Sequence, residues 1–200
     1  MGGPAIRIIL ARHGETEWNR LGIFQGRSDI PLNPQGIAEA HALAVTLKNE
    51  PLSAIYCSPL VRAKETARII QQFHSSVSFV EKPGLMEMDL GDFDGMKASD
   101  WAEQFPKFRK VWQKKPASLK MPGGESLQDV QKRALGTIRR IAKQHSPGET
   151  LLACSHNFTI ISLRCLALNI SLDDFRKVKQ KTGSFHTLVW RKDIFTEQEI

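Results

Sequence analysis

The sequence predicts an α/β protein: a three-layer sandwich with a mostly parallel central sheet flanked by helices. Three observations predict it. Short apolar, β-rich runs recur at residues 6–11, 54–57, 77–81, 150–154 and 185–190. Longer amphipathic stretches with helix start signals separate them. The alternation of the two requires right-handed crossovers, which bring the strand ends and their following loops to one edge of the sheet. A chain of 200 residues fits a single domain, residues 1–200, long enough to bury a substantial core.

Each element has a local reason. The first run, Ile6-Arg7-Ile8-Ile9-Leu10-Ala11, reads as a buried strand and gives way to Arg12-His13-Gly14-Glu15-Thr16. Asn33 before Pro34 reads as a helix N-cap and first turn, with Ile37, Ala40, Leu43, Ala44 and Leu47 on one face. Ser58-Pro59 repeats that signal ahead of Leu60, Ala63, Ala67 and Ile70. Ser126 opens a third helix whose stripe is Leu127, Val130, Ala134, Ile138 and Ile141, and a fourth helix is expected over 158–168. Residues 91–124 break the alternation. This segment carries Trp101, Phe105, Phe108 and Trp112 among lysines and reads as a small helical, cap-like insertion over the site, its aromatics mainly packing.

Composition narrows the function classes. Apolar residues are 41% and charged residues 24%, ordinary for a globular protein. The net charge of +7 suits either a soluble basic surface or the attraction of anions. The basic residues are dispersed, in 107–110, 114–115, 139–140 and 176–181, so no nucleic-acid partner is expected. Cys57, Cys154 and Cys165 each lie in apolar context and read as free buried thiols rather than a disulfide scaffold or zinc site. No stretch has the length of a membrane span and no signal-peptide pattern is present, so the expectation is a cytoplasmic protein without a membrane partner. The oligomeric state stays open, a homodimer included.

The chemistry gathers at the strand ends. The first strand leads to Arg12 and His13, the second to Ser58 and Arg62, the third to Glu87, and the fourth to Ser155-His156. In open α/β sheets ligands bind at this edge. A guanidinium grips phosphoryl oxygens with its planar fork, and an imidazole attacks phosphorus or moves a proton at neutral pH. Two histidines, two arginines and a carboxylate there point to a phosphate site. A cysteine phosphatase is excluded by counting: five residues must separate its thiolate from its arginine, and only four lie between Cys57 and Arg62. There is no Walker-type phosphate loop.

These residues sit within longer recognisable pieces. They are 10–19 (Leu-Ala-Arg-His-Gly-Glu-Thr-Glu-Trp-Asn), 24–33 (Phe-Gln-Gly-Arg-Ser-Asp-Ile-Pro-Leu-Asn), 57–67 (Cys-Ser-Pro-Leu-Val-Arg-Ala-Lys-Glu-Thr-Ala), 87–95 (Glu-Met-Asp-Leu-Gly-Asp-Phe-Asp-Gly), 122–126 (Pro-Gly-Gly-Glu-Ser) and Ser155-His156. With them the chain resembles the histidine phosphatase superfamily, in the phosphoglycerate mutase-like branch, from about Arg7 to Trp190. The resemblance implies that His13 is the nucleophile, forming a phosphohistidine. Arg12, Arg62 and His156 would surround the phosphoryl oxygens, and Glu87 would be the general acid and then the base. Asn19, Gln25, Gly26 and Asn157 match substrate-contacting positions. No metal and no cofactor is implied, the arginines and His156 doing the electrostatic work.

The expected activity is hydrolysis of small phosphorylated metabolites. A 2,3-bisphosphoglycerate-primed phosphoglycerate mutase is the alternative, and an inactive phosphate-binding regulatory protein a further one. Mutases of the family carry a longer cap segment with an Arg-Arg pair, whereas the middle segment here is short and reads like the phosphatase branch. One departure stands out: after His156 many relatives have Gly, and this chain has Asn157. A side chain there would narrow the pocket or add a hydrogen bond to substrate.

Overall fold

In the computed structural model, which describes residues 5–191 and 194–197, six strands form one sheet in the order β3-β2-β4-β1-β5-β6. They are β1 (Ile6–Arg12), β2 (Leu52–Cys57), β3 (Ser78–Glu81), β4 (Thr150–Ser155), β5 (Phe185–Arg191) and β6 (Ile194–Glu197). The first four run parallel, through β1–β4, β2–β4 and β2–β3 pairings. The last two are antiparallel and close one edge. Every residue of β4 is buried, as expected of a central parallel strand covered on both faces.

The helices are α1 (Glu17–Arg20), α2 (Pro34–Leu47), α3 (Val61–Gln71), α4 (Ala98–Gln104), α5 (Pro106–Lys114), α6 (Leu127–Ala142) and α7 (Asn157–Ala167). One face of the sheet buries Ile9, Ala11, Ile55, Cys57 and Leu152 against α2 and α3. The other buries Ile8, Leu10, Tyr56 and Leu151 against α6 and α7. Ser126 caps α6 as expected, in a reciprocal capping box with Asp129; such a cap contributes on the order of 1 kcal/mol. All five expected stripe residues of α6 are buried. The three cysteines are free and buried. Among the described residues no helix is long and apolar enough to cross a membrane.

Three expectations need correction, and one strand has no counterpart among them. Ile37 lies on the outside of α2, 44% exposed, and the buried face instead runs Gly36, Ala40, Leu43, Ala44, Leu47. Gly36 holds that place because a Cβ there would stand 2.0 Å from the Glu15 carbonyl oxygen, so two backbones meet where apolar periodicity registers nothing. Ser58-Pro59 does not start α3: Leu60 is its N-cap and Ser58 stays in the loop, its hydroxyl accepting from Leu60 N at 3.2 Å. α7 begins one residue earlier than expected, at Asn157, and ends at Ala167. β6 was not expected at all.

The segment 91–124 folds as a single-turn helix (Gly91–Phe93) followed by α4 and α5. Phe93 packs edge-on or tilted against Phe105 and Phe108, with ring centroids at 4.9 and 5.1 Å, and Trp101 joins them. This third cluster includes Met88 and Leu90, which follow Glu87 in sequence. The segment is thereby anchored beside the Glu87 loop.

Candidate active site

The parallel register sets the site. Arg12 pairs with Ser155 and Cys57 with Cys154, so three strands end side by side. The loops that follow are stitched to β4: His13 N donates to Ser155 O at 3.1 Å and Ser58 N to Cys154 O at 3.0 Å. Gly14 N donates to Thr66 Oγ1 at 3.1 Å, and Thr66 donates on to the Arg62 carbonyl at 2.8 Å. A Cβ on Gly14 would lie 2.2 Å from the Gly36 carbonyl oxygen, so this turn admits only glycine without movement.

His13 is buried, and its Nδ1 lies 2.7 Å from its neighbour's carbonyl, Gly14 O. A carbonyl can only accept, so Nδ1 carries the proton and the lone pair is on Nε2. Burial pushes its pKa well below the usual imidazole value, and the charges of Arg62 and Arg12 push the same way. The ring is held neutral with a defined nucleophilic nitrogen.

Arg62 and His156 lie behind His13, fully buried. The rings of His13 and His156 are 5.1 Å apart. Arg62 donates Nε to His156 Nδ1 (3.2 Å), Nη1 to Ser28 O (2.8 Å) and Nη2 to Gly26 O (2.9 Å). Three of the guanidinium's five N–H groups are thus committed, leaving two for an anion. Burial lowers the Arg62 pKa to about 10, against the pull of Glu87 and Asp29; it stays charged at neutral pH. His156 Nε2 lies 2.7 Å from Ser58 Oγ. Both nitrogens of His156 are therefore engaged, and Ser58, which accepts from His156 and Leu60, keeps its own proton to donate. Sequence reasoning placed Ser58 at this edge, as a strand end and helix start, but gave its hydroxyl no role.

Glu87 is buried rather than solvated. Its Oε1 accepts from Met88 N (2.8 Å), Phe158 N (3.1 Å) and Thr159 N (3.3 Å), and Oε2 from Phe158 N (3.2 Å). The carboxyl thus sits on the N-terminus of α7. Burial raises its pKa, and this outweighs the backbone donors and the two arginines, which lower it. The loop around it is clamped by Arg133, which donates to the carbonyls of Gly84 (3.1 Å), Met86 (2.8 Å) and Glu87 (2.8 Å) while paired with Glu125 (2.7 Å). Glu125 also accepts from Asp89 N at 2.9 Å. Neither Arg133 nor Glu125 was singled out from sequence. The one available signal was Glu125 within Pro-Gly-Gly-Glu-Ser.

Arg12 donates Nη1 to Asn157 Oδ1 (3.0 Å) and Gln180 O (2.6 Å). The residue that departs from the family pattern therefore orients an arginine. Asn19 closes the capping box of α1, its Oδ1 accepting from Thr16 N at 3.2 Å. Gln25 accepts from Thr16 Oγ1 at 2.7 Å. Gly26 donates its N–H to Asp94 Oδ1 (2.8 Å) and its carbonyl accepts from Arg62 (2.9 Å), so it ties this loop to both side chains. Asp94, also bonded to the amides of Arg27 and Ser28, was missed. The open cleft has a volume of about 320 Å³, lined by Arg12, His13, Asn19, Gln25, Glu87 and Asn157 with four apolar side chains. Arg62, Gly26 and His156 lie outside that lining.

A neutral imidazole, guanidinium groups and a carboxyl whose pKa burial raises, at the strand ends of this sheet, define a phosphatase-class enzyme. The chain belongs to the histidine phosphatase superfamily, whose branch 1 model matches residues 8–200. It is 32% identical over 170 residues to phosphoserine phosphatase 1 of Hydrogenobacter thermophilus, covering 85% of this chain and 80% of that protein. It is 35% identical over 166 residues to the metal-independent phosphoserine phosphatase of Arabidopsis thaliana, covering 82% and 68%. Among solved structures, Bacillus stearothermophilus YhfR matches with a TM-score of 0.90 at 29% identity, over 96% of this chain and 95% of that one.

Proposed function

We propose that the protein hydrolyses small phosphate monoesters through a phosphohistidine on His13, without a metal ion. The single observation that carries this is the Gly14 carbonyl on His13 Nδ1, 2.7 Å away, which aims a neutral Nε2 lone pair from a cleft that Glu87 also lines.

Nε2 attacks phosphorus in line. The ester P–O bond breaks, and its electron pair leaves with the alkoxide, which takes the Glu87 proton. Glu87, now a carboxylate, accepts a proton from water as that water attacks phosphorus. The P–N bond breaks and its electrons return to Nε2. Arg12 and the two uncommitted N–H groups of Arg62 stabilise the equatorial oxygens as charge develops. Oε2, with fewer backbone donors than Oε1, is the oxygen that exchanges the proton. Asn19, Gln25 and Asn157 orient the ester, and His156 positions Arg62. Three reduced, buried thiols suit a cytoplasmic setting.

Phosphorus NMR with chelator present tests the reading. A panel of phosphate esters should release inorganic phosphate, and His13→Ala should not. With 3-phosphoglycerate primed by 2,3-bisphosphoglycerate, formation of 2-phosphoglycerate without phosphate release would instead make the protein a mutase.

A further inference from the structure

We infer that Arg164 is a positioning residue for Arg12, the arginine of the catalytic cleft, and acts on it through the backbone of residues 179–184. The inference rests on the phosphatase reading above for the role of Arg12 and adds to it a residue outside the cleft lining.

Both hydrogens of Arg12 Nη1 are spent, on Asn157 Oδ1 at 3.0 Å and on the Gln180 carbonyl at 2.6 Å. Its Nε is buried with no partner among the described residues. The edge formed by Nε and Nη2 is therefore the one left to grip two phosphoryl oxygens side by side. Where that edge points depends on where the Gln180 carbonyl sits. Residues 179–184 belong to no helix or strand, so no ladder of backbone bonds fixes that carbonyl. Individual contacts do. Lys179 O accepts from Arg164 Nη1 at 2.6 Å, and the next carbonyl, Gln180 O, accepts from Arg12. Two arginines thus hold consecutive peptide groups. Further along, Ser184 O accepts from Arg12 N at 2.9 Å, and Gly183 N donates to His13 O at 3.1 Å. One short segment carries the backbone of Arg12 and His13 as well as the Arg12 side chain.

Arg164 is built for this task. It lies in the third turn of α7, and its side chain is 9% exposed. Nε and Nη2 fork onto the Glu197 carboxylate at 2.7 to 3.0 Å. Glu197 also accepts from His186 Nδ1 at 3.0 Å. The carboxylate fixes the plane of the guanidinium, and the remaining nitrogen, Nη1, is delivered to Lys179 O. The same helix supplies Asn157 to Arg12 and its first amides to Glu87. α7 thus places the acid from its N-terminus and the segment behind Arg12 from its third turn. A lysine at 164 would keep a charge opposite Glu197. As a point charge it could not span from the carboxylate to the Lys179 carbonyl.

The test is a double-mutant cycle on hydrolysis of 4-nitrophenyl phosphate, with Arg164→Lys and Arg12→Ala made singly and together. This ester needs no proton from Glu87, so changes that reach the acid through α7 do not enter. Arg164→Lys should lower kcat about tenfold and move KM less than about twofold, because the Arg12 edge acts as charge develops. In the Arg12→Ala background the same substitution should change kcat less than about twofold. Glu197→Gln, which keeps an acceptor for Arg164 but removes the charge that fixes it, is the second route should Arg164→Lys fail to fold; its loss of kcat should likewise vanish in the Arg12→Ala background. Urea unfolding confirms that each variant is folded. Equal losses in both backgrounds, or no loss in either, would make Arg164 a fastening between α7 and β6 only, which overturns this inference and leaves the phosphatase reading standing. No phosphate release by the unsubstituted protein overturns the phosphatase reading, and this one with it.

Discussion

Arg62 Nε lies 3.2 Å from His156 Nδ1, and a guanidinium can only donate, so that nitrogen must accept. The remaining nitrogen, Nε2, then carries the proton and donates to Ser58 Oγ at 2.7 Å. One contact thus fixes the tautomer of a buried histidine and the plane of a buried arginine. Arg62→Lys keeps the charge but loses the fork that joins His156, Ser28 and Gly26. Its kcat should fall on the order of 10²–10³-fold, the usual effect of losing a transition-state donor, with a smaller change in KM. Steady-state kinetics on one ester checks this; a change confined to KM would assign Arg62 to ground-state binding.

The Glu87 carboxyl, raised by burial, holds its proton above the ordinary carboxylate range. His13 stays neutral because its own pKa is pushed well down. Rates with alkyl esters should accordingly fall as pH rises through the Glu87 pKa. Glu87→Gln should remove that dependence and cost about 10²–10⁴-fold with alkyl phosphates, far less with 4-nitrophenyl phosphate, whose leaving group needs no proton. Equal losses for the two esters would count against an acid role.

Stability should respond to pH through the two buried histidines. Both His13 and His156 are held below the usual imidazole pKa, by burial first and then by neighbouring arginines. The unfolded chain takes up protons near pH 6.5 that the folded chain refuses, so their contribution is complete above that pH and is lost as pH falls. Each histidine can add a slope of up to about 1.4 kcal/mol per pH unit. Glu87, shifted up, acts with the opposite sign: its contribution is complete below the unfolded carboxylate pKa and lost as pH rises. Urea unfolding between pH 5 and 7 should show stability falling towards acid, with a shallower slope in His156→Gln.

Arg133 ties three carbonyls of the Glu87 loop to Glu125. Arg133→Ala leaves Glu125 with only the longer Arg27 contact, at 3.4 Å, and frees the loop. It should cost about 2–3 kcal/mol by denaturant unfolding, since the lost bonds are charge-assisted and partly buried. Turnover of alkyl esters should fall as Glu87 loses its position. Unchanged stability would mean that the backbone bonds of Glu87 suffice.

The elements that read clearly in the sequence were those whose signal is local. The run 6–11 and its polar break placed Arg12 and His13 correctly, and Ser126 with its stripe defined α6. What escaped was tertiary. Gly36 carries no apolar side chain, so close backbone packing gives it, rather than Ile37, the first place on the buried face of α2, while Ala40, Leu43, Ala44 and Leu47 lie there as expected. Arg133 sits on a helix whose apolar stripe says nothing about polar neighbours, and Glu87 looks the same in sequence whether solvated or seated on α7. β6 is a four-residue edge strand, too short for alternation to register. Ser58 was read as a helix start because Ser-Pro is one in most settings; here its hydroxyl serves His156.

The central claim is a phosphoryl group on His13. The direct measurement is intact mass and peptide mapping after rapid mixing with 4-nitrophenyl phosphate and an alkaline quench, which preserves phosphohistidine. The account expects one added phosphoryl group, mapped to His13, lost on brief acid treatment and absent from His13→Ala. Full turnover with no such adduct, or an adduct on another residue, would contradict it.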